Sequence, residues 1–393
     1  MRLLARLARG AGLAALVAAA FVAAPTIASA TTPVIGHVYV NDNTAGTNTI
    51  GAFDQHRNGS LTPMTGSPFA AGGAGTGTIV GSQGSIQTTA NGDWVLAVDA
   101  GSNQISVLAV GSDGSLTPAD GSPVSSGGIE PVSIAVHGDL VYVANEGNGT
   151  TGSNYTGFTL SEDGRLTPLA NSTVALPATA LPGDILFNGT GRNLIGIEVG
   201  TTDPSTFLID SFLVGADGRL TAAAGSPFPA EAAGPFGSEF SPTDPHHLYV
   251  SNAHGGTNNG SVSAFSVNAN AKLKSITGSP FADQQTAPCW VEISHDGRYL
   301  FTVNTGSTTI SSYRINANGT LSLIGSTPFK SSGSVRPFDA RLDTSGTHLY
   351  VVDAGIASVS GFAVNGGSLR ELSSSPAALP AGATPFGVAI VSA

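Results

Sequence analysis

The sequence predicts an all-β fold: a seven-bladed β-propeller with four antiparallel strands per blade, closed by pairing of the N- and C-terminal strands in one blade. Three observations carry this expectation. A phrase made of a turn, a Leu and a short polar strand recurs seven times, at intervals of roughly 50 residues. Each interval holds four strand-like runs, rich in β-branched and aromatic residues and bounded by Gly, Asn, Asp and Pro. The last repeat opens a strand that has no partners after it.

The recurring phrase is clearest in Gly59-Ser60-Leu61-Thr62-Pro63, Gly114-Ser115-Leu116-Thr117-Pro118 and Gly164-Arg165-Leu166-Thr167-Pro168, and Leu220, Leu273, Leu321 and Leu369 continue the series. Seven apolar strands keep step with it, each ending in an amide or acid: Asn41, Asp99, Asn145, Glu198, Asn252, Asn304 and Asp353. Within one unit the runs fall at 289–294, 299–304, 309–315 and 321–325, joined by turns that include Asp296-Gly297 and Asn318-Gly319. Such pairs supply the positive φ angles that tight hairpins need. No run sustains a 3.6-residue period, so no helix is expected after the first thirty residues. Repeating four-stranded units around an axis shields the strand edges, as a propeller does. A first strand opens at Ser85 and at Pro131, Pro182, Pro235, Pro288, Pro337 and Pro385. The last of these needs the first strands of the chain as partners, so the two ends are expected to zip together.

Composition fits blades packed on both faces. Charged residues are 10% of the chain, against roughly 25% in an average soluble domain, and 41% of the residues are hydrophobic. A net charge of -11 without a Lys/Arg cluster argues against nucleic acid as a partner, because gripping a phosphate backbone takes several cations on one surface. Residues 1–30 read as a secretory signal peptide. Arg2, Arg6 and Arg9 precede an apolar stretch at 10–24, and Ala28-Ser29-Ala30 is a small-x-small cleavage site. Cleavage after Ala30 would leave 31–393 as a single extracellular propeller domain. No later stretch is long and apolar enough to be a transmembrane segment. Cys289 is the only cysteine, so no intrachain disulfide can form, and it is expected to be a buried thiol.

Leu248-Tyr249-Val250-Ser251-Asn252 followed by Gly260-Ser261-Val262-Ser263-Ala264-Phe265, the turn Ser294-His295-Asp296-Gly297-Arg298-Tyr299-Leu300-Phe301 and the Asp-Gly-Arg-Leu-Thr copies carry a likeness. With them, residues 34–392 resemble the seven-bladed lactonase-family propellers with YVTN-type repeats, which include 6-phosphogluconolactonases and carboxymuconate-cyclising enzymes. The resemblance implies the fold and a hydrolase of lactone rings. The chain also departs from the pattern. Relatives with activity often carry a His shortly after the opening Pro, and here those places hold Val132, Gly183, Phe236, Cys289, Phe338 and Phe386.

In a ring of this kind the innermost strands border the central channel. At the third position from the opening residue stand Asp184, Trp290 and Asp339, and at the fifth Glu239, Glu292 and Arg341, all in four consecutive blades. Lactone hydrolysis needs a carboxylate or His to activate water and a cation or amide donors to stabilise the oxyanion. Glu239 and Glu292 are the candidate bases and Arg341 the candidate oxyanion partner. Asp184, Asp339, Trp290 and His254, the last on a loop at the channel mouth, are candidate substrate contacts. The competing reading pairs Arg341 with Glu292 or Glu239 across a blade interface, since buried charges are normally neutralised. His37, His137, His247, His295 and His348 sit at repeat-equivalent turns and read as structural or solvent-facing. The acids and amides at the strand ends either line a polar ring or bond to the loops that follow them. No spacing matches a calcium or zinc site, so neither a metal nor another cofactor is expected.

Two functions follow. One is a secreted hydrolase acting on a small-molecule, lactone or sugar-like ligand, and the other is a non-catalytic extracellular propeller that binds a ligand or surface partner through its loop face. The absence of a basic phosphate cradle weighs against a phosphorylated substrate. A monomer is expected.

Overall fold

Each repeat turns back on itself at Gly-containing hairpins. In the computed structural model, which describes residues 32–331 and 334–393, the outcome is seven antiparallel sheets within the compact unit Pro33–Ala393. The leader expected at 1–30 lies outside the described residues. Blade 5 is typical: Pro235–Phe240 is innermost, followed outward by His247–Asn252, Ser261–Val267 and Leu273–Ser275. The ring closes as the sequence predicts. Gly387–Ser392 becomes the innermost strand of blade 1 by pairing with Val34–Asn41, in a register running from Gly36 opposite Ser392 to Asn41 opposite Gly387.

Four strands per blade is an undercount in six blades. A two-residue fifth strand, such as Phe228–Pro229 or Phe281–Ala282, pairs with the third strand beyond the end of the fourth. The Ser before it lends its hydroxyl to the ladder. Ser67, Ser122, Ser226 and Ser279 accept the backbone N–H of Ala52, Val107, Ser211 and Ala264 at 2.8, 2.8, 2.9 and 2.8 Å. In blade 6 the fourth strand instead runs unbroken over Leu321–Pro328. Among the described residues the helical content is two single 3-10 turns, Ala100–Ser102 and Pro204–Thr206, and no helix is long and apolar enough to cross a membrane.

Neighbouring blades are stapled by tyrosines. Tyr39, Tyr142, Tyr249 and Tyr350 each donate a hydroxyl hydrogen bond to the turn carbonyl of Gly114, Gly218, Gly319 and Gly59 in the next blade, at 2.6, 2.9, 3.1 and 2.9 Å. The last crosses the ring closure. Blade 4 has Ile195 at this place, and Ser211 serves the Ala271 carbonyl instead, at 2.5 Å. The strand-end residues form neither a polar ring nor chiefly loop contacts in five blades. Asp99, Asn252, Asn304 and Asp353 reach the third strand of their own blade, at Ser106, Ser263, Ser311 and Ser360, and Asn145 reaches Asn154.

The central channel is not open. The connection from blade 1 to blade 2 leaves the rim and crosses the axis, where Ser82 and Gln83 are buried. Gln83 donates its backbone N–H to Gly183 O at 2.9 Å and its side-chain amide N–H to Ser238 O at 2.7 Å, and its side-chain oxygen accepts Val291 N–H at 3.0 Å. Ser82 donates to Val132 O at 2.7 Å and accepts the Trp290 indole N–H at 2.7 Å. One short segment therefore ties together blades 3 to 6. It also explains two glycines inside innermost strands. A Cβ on Gly237 would meet the Gln83 oxygen at 2.2 Å, and one on Gly387 would meet Ser85 Oγ at 2.0 Å.

Candidate functional site

The charged residues of the innermost strands gather at one end of the ring, on the far side of Gln83 from the strand starts. Arg341 is the centre. Its Nη1 lies 3.1 Å from Glu292 Oε2 and 4.0 Å from Glu239 Oε2. Glu292 is buried and fully engaged, since its second oxygen accepts the Leu342 N–H at 3.0 Å. Glu239 remains half-buried at the mouth. Asp184 lies deeper and bonds into blade 5: one oxygen accepts both the N–H and the hydroxyl of Ser238, at 2.8 and 2.7 Å. Asp339 accepts its neighbour's Ala340 N–H at 2.9 Å and Gly84 N–H from the plug at 3.4 Å.

Four carboxyls share one guanidinium, and burial leaves them reluctant to ionise. Removal from water raises Asp184 to about 7 and Asp339 to about 6. Glu239 rises to about 8, because burial and the neighbouring acids outweigh the pull of Arg341. Glu292 is also raised by burial, with Arg341 opposing. Burial disfavours the Arg341 charge, but Glu292, Asp339, Glu239 and Asp184 together more than offset this and hold its pKa above the ordinary value. At neutral pH the cluster therefore carries protons.

Two cavities meet at Arg341. One, of about 180 Å³, is lined by Gln83, Gln87, Asp184, Ser238, Glu239 and Arg341. The other, of about 360 Å³, is lined by Gln87, Thr88, Glu292, His295, Arg341 and Thr344 among others. A larger hollow of about 640 Å³ lies between blades 1 and 2, at His37, Asn91 and Asp93, away from the charged cluster.

Of the predicted site residues, Glu239, Glu292, Arg341, Asp184 and Asp339 come together. Trp290 does not serve as a ligand platform in this structure. It is 1% exposed, stacked on Phe338 at 4.5 Å between ring centroids and edge-on to Phe236, with its N–H given to Ser82. Phe338 occupies a face of the indole on which a ligand ring would stack. His254 also stands apart. Pro235 pairs with Asn252, so the loop after Asn252 sits beside the start of the innermost strand, whereas Glu239 is near its end. There His254 packs edge-on against Phe207, and burial lowers its pKa. Cys289 is a buried thiol, pushed up to about 12 by burial.

Gln83, Gln87, Ser238 and His295 line the cavities without having been expected there. The glycines at 237 and 387 were the available signal, since Gly inside a strand marks a close approach of other chain. His295 was hidden by its turn, which reads as a plain hairpin. Among the described residues, no group of three or more His, Cys, Asp and Glu is placed to hold a metal ion.

Most of the charged cluster, all but Asp184, lies within a stretch that matches a known family. Residues 239–385 match the model of the lactonase family, a 7-bladed β-propeller. This stretch contains Glu239, Glu292, Asp339 and Arg341. The propeller as a whole is similar to solved structures. A candidate 6-phosphogluconolactonase of Bacteroides fragilis superposes with a TM-score of 0.70 at 19% identity, covering 92% of this chain and 99% of that one. A second, from Bacteroides uniformis, gives 0.72 at 20%, covering 91% and 100%. The periplasmic gluconolactonase of Pseudomonas aeruginosa gives 0.69 at 16%, covering 91% and 99%. At these identities the likeness is one of fold. No curated protein matches the chain.

Proposed function

We propose that this lactonase-type propeller is an exported hydrolase of small, uncharged lactones, with Glu239 and Arg341 as its reacting groups. One observation carries the reading: Glu239 and Arg341 face one cavity 4.0 Å apart, while Glu292 fixes Arg341 from behind. The match of residues 239–385 to the lactonase family supports the same chemistry. Glu239 in its carboxylate form takes a proton from water, and the hydroxide adds to the lactone carbonyl. Arg341 pairs with the oxyanion that develops, a role best filled by a cation already held in place. As the intermediate collapses, the ring C–O bond breaks and the acid form of Glu239 returns its proton to the leaving alkoxide. The product is the open hydroxy acid.

Charge sets the substrate. Among the described residues Arg341 is the only Lys or Arg lining either cavity, and it already answers to Glu292, so a phosphate group would enter a site crowded with carboxyls. Neutral aldonolactones and other unphosphorylated lactones are the expected substrates. With Glu239 raised to about 8, its base form grows as pH rises, and the rate climbs through pH 8 and levels above it. A panel of lactones assayed at several pH values, with and without chelator, tests this. Turnover of neutral lactones over phosphorylated ones, retained with chelator, is the expected result. No turnover across the panel would favour the second reading, a non-catalytic extracellular propeller that binds a ligand or surface partner through its loop face, with Ser82 and Gln83 filling the channel.

A further inference from the structure

We propose that Gln83, on the segment that plugs the channel, is the positioning residue that holds Glu239 and Glu292 at their places around Arg341. The inference rests on the catalytic reading of Glu239 and Arg341 but can be tested apart from it.

The contacts fall on the residues that carry the site. Gln83 gives one amide N–H to the carbonyl of Ser238, directly before Glu239, and receives the N–H of Val291, directly before Glu292. A single planar amide thus sets the distance between the innermost strands of blades 5 and 6 one residue from each acid. Both side-chain ends are engaged and the residue is 2% exposed, so it has no rotamer freedom to spend on another partner. Gly237 leaves the space that Gln83 fills. The adjoining Gly84 N–H reaches Asp339, and the Gln83 N–H reaches Gly183, directly before Asp184. Every carboxyl of the cluster therefore has a plug contact on itself or on its neighbour. Gln83 also lines the cavity shared by Glu239 and Arg341, which makes it the floor beneath the reacting groups.

This differs from packing. A segment that merely filled the channel would need volume, not an amide with two directed bonds. Gln83→Met keeps most of the volume and removes both bonds, and Gln83→Ala removes the volume as well. Displacing Glu239 relative to Arg341 by a fraction of an ångström is expected to lower kcat roughly tenfold to a hundredfold with KM changed much less. The titration of Glu239 should also move, because its distance to Arg341 and its access to water change together.

The experiment measures three quantities on wild type, Gln83→Met and Gln83→Ala: thermal unfolding, kcat and KM on a neutral lactone, and the Glu239 titration. The last is followed by NMR of 13C-carboxyl-labelled glutamate, assigned with Glu239→Gln. In folded Gln83→Met, a fallen kcat and a shifted Glu239 titration are expected. Both unchanged, with only the melting temperature lowered, would overturn the positioning role and leave the hydrolase reading standing. If wild type hydrolyses nothing, that reading falls alone, and the Glu239 titration still decides for or against Gln83.

Discussion

Arg341 is where the molecule concentrates its electrostatic risk. A guanidinium this far inside the ring is tolerated because Glu292 accepts its hydrogen bond and Glu239, Asp184 and Asp339 add negative potential around it. Removing one member of a buried pair leaves the other uncompensated, which typically costs about 3–5 kcal/mol. Arg341→Ala should lie near the lower figure, because Glu292 keeps the Leu342 N–H and can take up a proton. Chemical denaturation would show this as a lowered midpoint with unchanged slope. The charges were legible from the sequence because a chain with so few of them placed five on adjacent innermost strands. Their division of labour was not. Nothing in the residue order shows that Glu292 is consumed in holding Arg341, that Trp290 is stacked on Phe338 and bonded to Ser82, or that His254 sits at the other end of blade 5.

At the scale of the strand, the repeated phrases proved to be hydrogen-bonding devices. The Tyr of the second strand exists to reach the next blade's turn, as Tyr249 does at Gly319. Tyr249→Phe should therefore destabilise the ring by about 1 kcal/mol, or somewhat more because the Gly319 carbonyl loses a partner. Urea melts of the variant would measure it, and a value near zero would mean that water replaces the hydroxyl. The strand count shows where pattern reading stops. Runs such as residues 235–240 and 247–252 announce themselves by apolar residues between turn residues, whereas Phe228–Pro229 is too short to have a pattern and depends on the hydroxyl of Ser226 upstream. The connection at 70–84 is rich in Gly and Thr, a composition usual for surface loops. Its last residues instead fill the channel, a long-range placement marked only by the glycines that make room for it.

For the whole molecule, closure by the terminal strands and seven packed blades make folding one cooperative event, and its pH dependence follows from the buried acids. Asp184, Asp339, Glu198, Glu239 and Asp353 are raised by burial to between about 6 and 8. Between the ordinary carboxyl range and those values the folded state holds protons that the unfolded chain has released. Their contribution is thus fully present at acid pH and is lost as pH rises toward 8. Asp343, held low by His348 despite burial, acts in the opposite sense and only at strongly acid pH. The melting temperature should fall between pH 5 and pH 8, and a rise over that interval in calorimetry would contradict the burial of these groups. The central claim is that this ring places one water-activating carboxylate and one fixed cation in a cavity suited to neutral lactones. Hydrolysis of an unphosphorylated aldonolactone by wild type, Glu239→Gln and Arg341→Ala tests it most directly. The account predicts turnover by wild type, with kcat lowered by roughly a hundredfold or more in each folded variant; variants as active as wild type would contradict it.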